Sequence, residues 1–124
     1  MSEWTILDYI EPTGRNCAAD WLAGLSHEAQ AVIAQRLLAM EGMKVWSEKW
    51  ASKLSDWDGL IELRVTYKGV QYRPLGVYQP NKRFVLLGGA IEKGNEMPRR
   101  HLDSADRRRK QLQKDPTRVR QHEY

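Results

Sequence analysis

Arg64, Arg73 and Lys93 are single cations set into otherwise strand-like segments, the placement that chemistry on a phosphodiester asks for. Arg64 lies in an alternating segment, on the face that also carries Glu62; Arg73 follows Tyr72 in the next segment; Lys93 ends the apolar run that starts at Phe84. Paired as an antiparallel meander, the three segments bring these side chains to one patch. Arginine grips phosphate oxygens with a two-pronged fork and stays charged. RNA cleavage needs no metal, because the 2′-OH is an internal nucleophile. It needs that hydroxyl deprotonated, the extra charge on the pentavalent phosphate neutralised and the 5′-oxygen stabilised as it leaves. Fixed cations meet the last two needs, and losing one such donor typically costs ~2.7–4 kcal/mol of barrier. Glu62, His101 and Tyr72 are the available bases. The plainer alternative is an ordinary Glu62–Arg64 surface ion pair, worth little, with Arg73 a solvated strand residue.

The distribution of charge adds a second cue. Residues 1–97 carry eleven Lys and Arg against twelve Asp and Glu, whereas residues 98–124 carry nine against four, so the net charge of +4 arises entirely after Met97. Such a footprint suits a polyanion, RNA or DNA, although a run like Arg107–Lys110 can equally be a solvated helix face.

Several classes are excluded or disfavoured. A single cysteine, Cys17, permits no internal disulfide and no thiolate zinc cluster. His27, His101 and His122 are scattered without ligand spacing, so neither metal nor cofactor is expected. No phosphate-binding glycine loop or nucleophile elbow occurs. No stretch reaches the roughly 18 apolar residues of a membrane span, and the acidic, aromatic beginning does not resemble a signal peptide. A soluble, cytoplasmic protein is expected.

The elements that must hold these residues follow from periodicity. Residues 4–10 read as a strand ended by Pro12 and Gly14. Asn16 and Ser26 cap two helices with apolar stripes at Ala18, Trp21, Leu22 and Leu25, and at Ala29, Val32, Ile33, Leu37 and Met40, which suggests a helical hairpin. Residues 43–58 give no clear period; their tryptophans either lid a core or stack on bases, with the core favoured. Residues 60–68 alternate strictly, Ile61, Leu63, Val65 and Tyr67 opposite Glu62, Arg64, Thr66 and Lys68. Lys68-Gly69 and Pro80-Asn81 mark turns, and Pro74 and Gly76 mark an edge or a bulge between them. Pro98 opens a final helix with apolar positions Leu102, Ala105 and Leu112, ended by Asp115-Pro116. The expected fold is α+β: a twisted antiparallel sheet of four to five strands, the helical hairpin on one face and a cationic patch on the other. One domain spans residues 1–113, followed by a polar, flexible tail over 114–124.

The segments GLIELR (59–64), QYRPLGVY (71–78), RFVLLGGAIEK (83–93) and PRRHLDSADRRRKQL (98–112), in this order, resemble the RelE/ParE superfamily of bacterial toxins, and most closely its phage-derived HigB-like branch. The resemblance covers about residues 4–112. It implies the toxin of a type II toxin–antitoxin pair, a metal-independent endoribonuclease that cuts mRNA on the ribosome. It also implies a cognate antitoxin, of helix-turn-helix type, that binds operator DNA within the complex. By the same resemblance Arg73 stabilises the scissile phosphate, Lys93 assists phosphate and leaving group, and Arg64 with Glu62 forms the E-L-R element. Lys68, Arg99, Arg100, Arg107 and Arg108 would grip RNA. The chain departs from the RelE pattern at Leu60 and Glu62, where lysines are usual, and across Gly94–Pro98, where a tyrosine is usual, which leaves the base open. ParE-like gyrase poisoning and plain RNA binding are the rival activities.

Overall fold

The structure is a computed structural model that describes residues 3–124. Among the described residues the elements run β1 (Thr5–Tyr9), α1 (Cys17–Ala23), α2 (His27–Glu41), β2 (Ala51–Lys53), β3 (Ile61–Leu63), β4 (Val65–Tyr67), β5 (Val70–Gln79), β6 (Arg83–Glu92), α3 (Arg99–Lys114) and β7 (Val119–Gln121). Both predicted helix caps form: Asn16 Oδ1 accepts from the Ala19 N–H and Ser26 Oγ from the Ala29 N–H. These bonds satisfy amide groups that the first helical turn leaves free. Lys68 and Gly69 both take positive φ (49° and 77°), the twist of a two-residue hairpin loop.

The sheet order is β2-β3-β5-β6-β1-β7, with β4 also pairing β5. It is mixed rather than antiparallel, because β1 runs parallel to β6, Ile6 opposite Phe84. Seven strands replace the expected four or five. The alternating 60–68 segment breaks at Arg64 into two short strands, and β2 and β7, three residues each, are too brief to show a period of two. The expected flexible tail is also corrected. Arg118 donates to the carbonyls of Ile10 and Glu11, β7 pairs with β1, and His122 is buried.

Helices cover both faces, not one. Strand β6 alternates Phe84 and Leu86 toward a core with Ile33, Leu37 and Met40 of α2, and Val85 and Leu87 toward a second core with Ala105 and Leu112 of α3. Burying each such large side chain stabilises by ~1.5–3 kcal/mol. The two N-terminal helices pack mainly on the sheet, α1 against β6 and α2 against β4 and β1, rather than as a self-contained hairpin. The close approach of α1 depends on Gly89, where a Cβ would overlap the Trp21 ring. Residues 43–51 lid the first core, where Trp46 is buried against Phe84, stacks on Trp4 and donates its indole N–H to the Met40 carbonyl, while Leu54 and Trp57 pack against the second.

One irregularity decides where the charged residues go. Leu75 pairs with Gly88 but Gly76 pairs with Leu86, so β6 carries an extra residue at Leu87. A bulge of this kind reverses the facing of everything beyond it. Ala90 therefore joins the α3-side core, and Ile91 packs against the opposite one.

Candidate active site on the sheet face beside helix α3

Glu62, Arg64, Thr66, Gln71, Arg73 and Glu92 form one polar network on the sheet face that α3 covers only in part. Arg73 stands at its centre with its side chain 7% exposed. Its Nη2 donates to Gln71 Oε1 (2.9 Å) and its Nη1 to the Tyr72 carbonyl (3.2 Å). Its Nε lies 3.5 Å from Glu62 Oε2 and 3.5 Å from Glu92 Oε1. Glu62 Oε1 accepts from Arg64 Nε (3.3 Å) and Nη2 (3.1 Å), and Gln71 Oε1 also accepts from the Thr66 hydroxyl (2.8 Å).

The arrangement is thus Arg64–Glu62–Arg73–Glu92 in alternating sign. The expected patch of bare cations is corrected: two carboxylates balance two guanidinium groups. Burial requires this, since an unpaired charge in a low-dielectric site is too costly to hold. The pairing is incomplete, however. Arg73 Nε and Glu62 Oε2 are sealed from solvent, and neither has a hydrogen-bond partner among the described residues. Glu92 and Arg64 form the open side of the network, their side chains 21% and 44% exposed.

The other predicted residues disperse. Counting alternation from Phe84 without a break puts Lys93 on the Arg73 face. The bulge at Leu87 reverses this, so Glu92 arrives beside Arg73 while Lys93 takes the Ile91 side and is exposed. Tyr72 faces the core under α2 and is no candidate base. Lys68 donates to Glu28 of α2 (3.2 Å), a bond that raises the Lys68 pKa. The Tyr67 hydroxyl and Lys68 together lower that of Glu28.

On α3, Arg108 turns inward, donating to the Leu87 carbonyl (3.0 Å) and pairing with Glu11, so it positions the helix. Arg109 is buried beside Asp106. Arg100 and Arg107 remain exposed, and Arg99 lies over the Trp57 ring and near Asp103. His101, in the first turn, has its pKa lowered by burial and then by Arg100 and Arg108. Cys17 is buried, and burial raises its thiol pKa, as for an inert core residue.

Sequence reasoning missed Glu92 and Gln71. The signal for Glu92 was present as a carboxylate ending an apolar run, but reading its facing requires knowing the bulge. Chemically, the network offers a guanidinium held rigid by its own carboxylates, with one N–H still unsatisfied. Among the described residues no cluster of His, Cys, Asp and Glu could hold a metal ion, and no helix is long and apolar enough to cross a membrane.

No curated protein matches the chain. Residues 20–110, from α1 through most of α3 and including every member of the network, match the family described as phage derived protein Gp49-like (DUF891). With that match across most of its length, the chain belongs to the Gp49-like family, which is associated with the toxins of toxin–antitoxin systems.

Proposed function

We propose that the chain is a toxin that arrests growth by cutting mRNA on the ribosome and is held inactive by a cognate antitoxin. The observation that carries this reading is the buried guanidinium of Arg73, fixed by Glu62 and Gln71 and left with an unsatisfied Nε next to Glu92, the carboxylate at the solvent edge. A phosphate oxygen is a stronger partner for that N–H than a carboxylate 3.5 Å away. Incoming RNA displaces Glu92, and Arg64 reaches a neighbouring phosphate oxygen. Glu92, the carboxylate at the solvent edge, takes the proton of the 2′-OH. The 2′-oxygen bonds phosphorus, the P–O5′ bond breaks, the departing oxygen takes a proton from water, and the resulting hydroxide takes the proton back from Glu92. The product is a 2′,3′-cyclic phosphate. Glu62 aims both arginines and transfers no proton. Lys93, on the other face, has no part in the step.

Arg100 and Arg107, with Arg99, supply the long-range attraction to ribosomal RNA, and Lys68 contributes less because Glu28 holds it. The reading implies action in the cytoplasm and an antitoxin of helix-turn-helix type that brings the complex to operator DNA. The test is induced expression with mapping of transcript ends. Growth arrest accompanied by new mRNA ends supports the reading. Arrest with intact transcripts and DNA damage favours gyrase poisoning instead, and no arrest leaves a binding module.

A further inference from the structure

On the opposite face of the sheet, between α1, α2 and β7, lies a cavity of about 540 Å³ that the Arg73 network does not touch. Its wall is apolar and low, built by Ala19, Leu22, Ala23, Ala31, Ala34 and Leu37. Its floor is polar and fixed, and the exposed Arg120 and Glu123 also line it. Asp8 and His122 are 3% and 7% exposed, with His122 Nδ1 2.8 Å from Asp8 Oδ1. Asp8 Oδ2 accepts from Asn16 Nδ2 (2.9 Å), and Asn16 is itself held as the cap of α1. With both oxygens of Asp8 accepting, the imidazole carries its proton on Nδ1. In the neutral ring Nε2 is a lone-pair acceptor, and it has no partner among the described residues, on a ring that lines the cavity. A second residue with a free acceptor, Gln30, lines the same space. Gln30 donates Nε2–H to the Leu25 carbonyl (2.9 Å), which fixes the amide orientation and leaves Oε1 free. Tyr124 stands edge-on to His122 at 4.8 Å and closes one side.

We propose that this cavity binds a planar amino-substituted heterocycle of the nucleobase class. Two acceptors call for two N–H donors on the ligand. Ala19, Ala23, Ala31 and Ala34, four small side chains among the leucines of the wall, leave room between the helices for a flat ring. The volume is within the range of small-molecule sites and ample for a bicyclic base. The site is independent of RNA cleavage and stands whether or not the Arg73 face is catalytic.

The test titrates the full chain with adenine, which carries an exocyclic amine and a ring N–H. Binding is followed by NMR of the alanine methyl groups and the His122 ring. Purine, which lacks the amine, serves as the comparison. Saturable shifts at Ala23, Ala34 and His122 are expected, with purine at least tenfold weaker. Ala23→Leu, which fills the slot at an exposed helix position, should weaken adenine at least tenfold with an unchanged melting temperature, and Gln30→Leu should weaken it as much with a small drop in melting temperature from the lost Leu25 carbonyl bond. Three results overturn the proposal: no shifts up to the solubility of adenine, equal binding of adenine and purine, or undiminished binding to Ala23→Leu.

Discussion

Arg73 Nε and Glu62 Oε2 face each other at 3.5 Å, both shut away from solvent and neither hydrogen-bonded among the described residues. The pair is close enough for strong attraction in a low-dielectric setting, yet too long for a directed bond. It is therefore both a structural tie between β3 and β5 and a guanidinium with one binding position unfilled.

Arg73→Ala should cost up to about 3–5 kcal/mol in urea unfolding, because it leaves buried Glu62 with only the half-exposed Arg64 as counter-charge. The paired change Arg73→Met with Glu62→Leu should cost less than Arg73→Ala alone. A double-mutant cycle measures the coupling; additive losses would show that the two groups do not depend on each other. Catalytic tests therefore belong with Arg73→Lys, which keeps the charge and loses the fork.

Glu92→Gln should separate binding from chemistry. It removes the anion that competes with phosphate for Arg73, so an uncleavable 2′-deoxy oligonucleotide should bind several-fold more tightly. Cleavage should fall by about 10²–10⁴, the usual contribution of a general base. Unchanged cleavage would remove Glu92 from the mechanism.

Exposed cations should act through salt. Arg100→Ala with Arg107→Ala should weaken binding to single-stranded RNA and flatten the dependence of log K on log salt by about 1.4, two phosphate contacts at ~0.7 each. Their effect on stability should be small, since both side chains are exposed. An Arg108→Ala substitution should do the reverse, destabilising through loss of the Leu87 carbonyl bond and the Glu11 pair with little change in salt slope.

His101 makes stability depend on pH. Its pKa is lowered on folding by burial and by Arg100 and Arg108, so the unfolded chain binds its proton first as pH falls. The favourable contribution is complete above the ordinary histidine value of about 6.5 and is lost as pH drops through the lower folded value. His101→Gln should show a smaller loss of melting temperature between pH 7 and pH 5 than the parent. Parallel curves would exclude this origin.

Local signals in the sequence were reliable where the physics is local. Asn16, Ser26, Lys68-Gly69 and Pro98 mark element ends because capping and φ constraints act within a few residues, and Ile61, Leu63 and Val65 share a face as alternation requires. What depends on distant pairing was not legible. The parallel contact of β1 with β6 and the late strand β7 arise from tertiary register, and no short-range pattern encodes them. The same limit explains the site. Arg73, Glu62 and Arg64 come together as their alternation suggests, but the bulge at Leu87 exchanges Lys93 for Glu92. The basic helix also divides by facing: Arg108 and Arg109 turn inward, and charge counting alone cannot tell them from exposed Arg107.

The most direct measurement uses the purified chain with ribosomes programmed with a defined mRNA, resolving the RNA products and their ends. The account predicts metal-independent cuts leaving a 2′,3′-cyclic phosphate, slowed at least about a hundredfold in folded Arg73→Lys, the scale of losing one fixed transition-state donor. Intact mRNA with the parent chain, or equal cutting by Arg73→Lys, would contradict it.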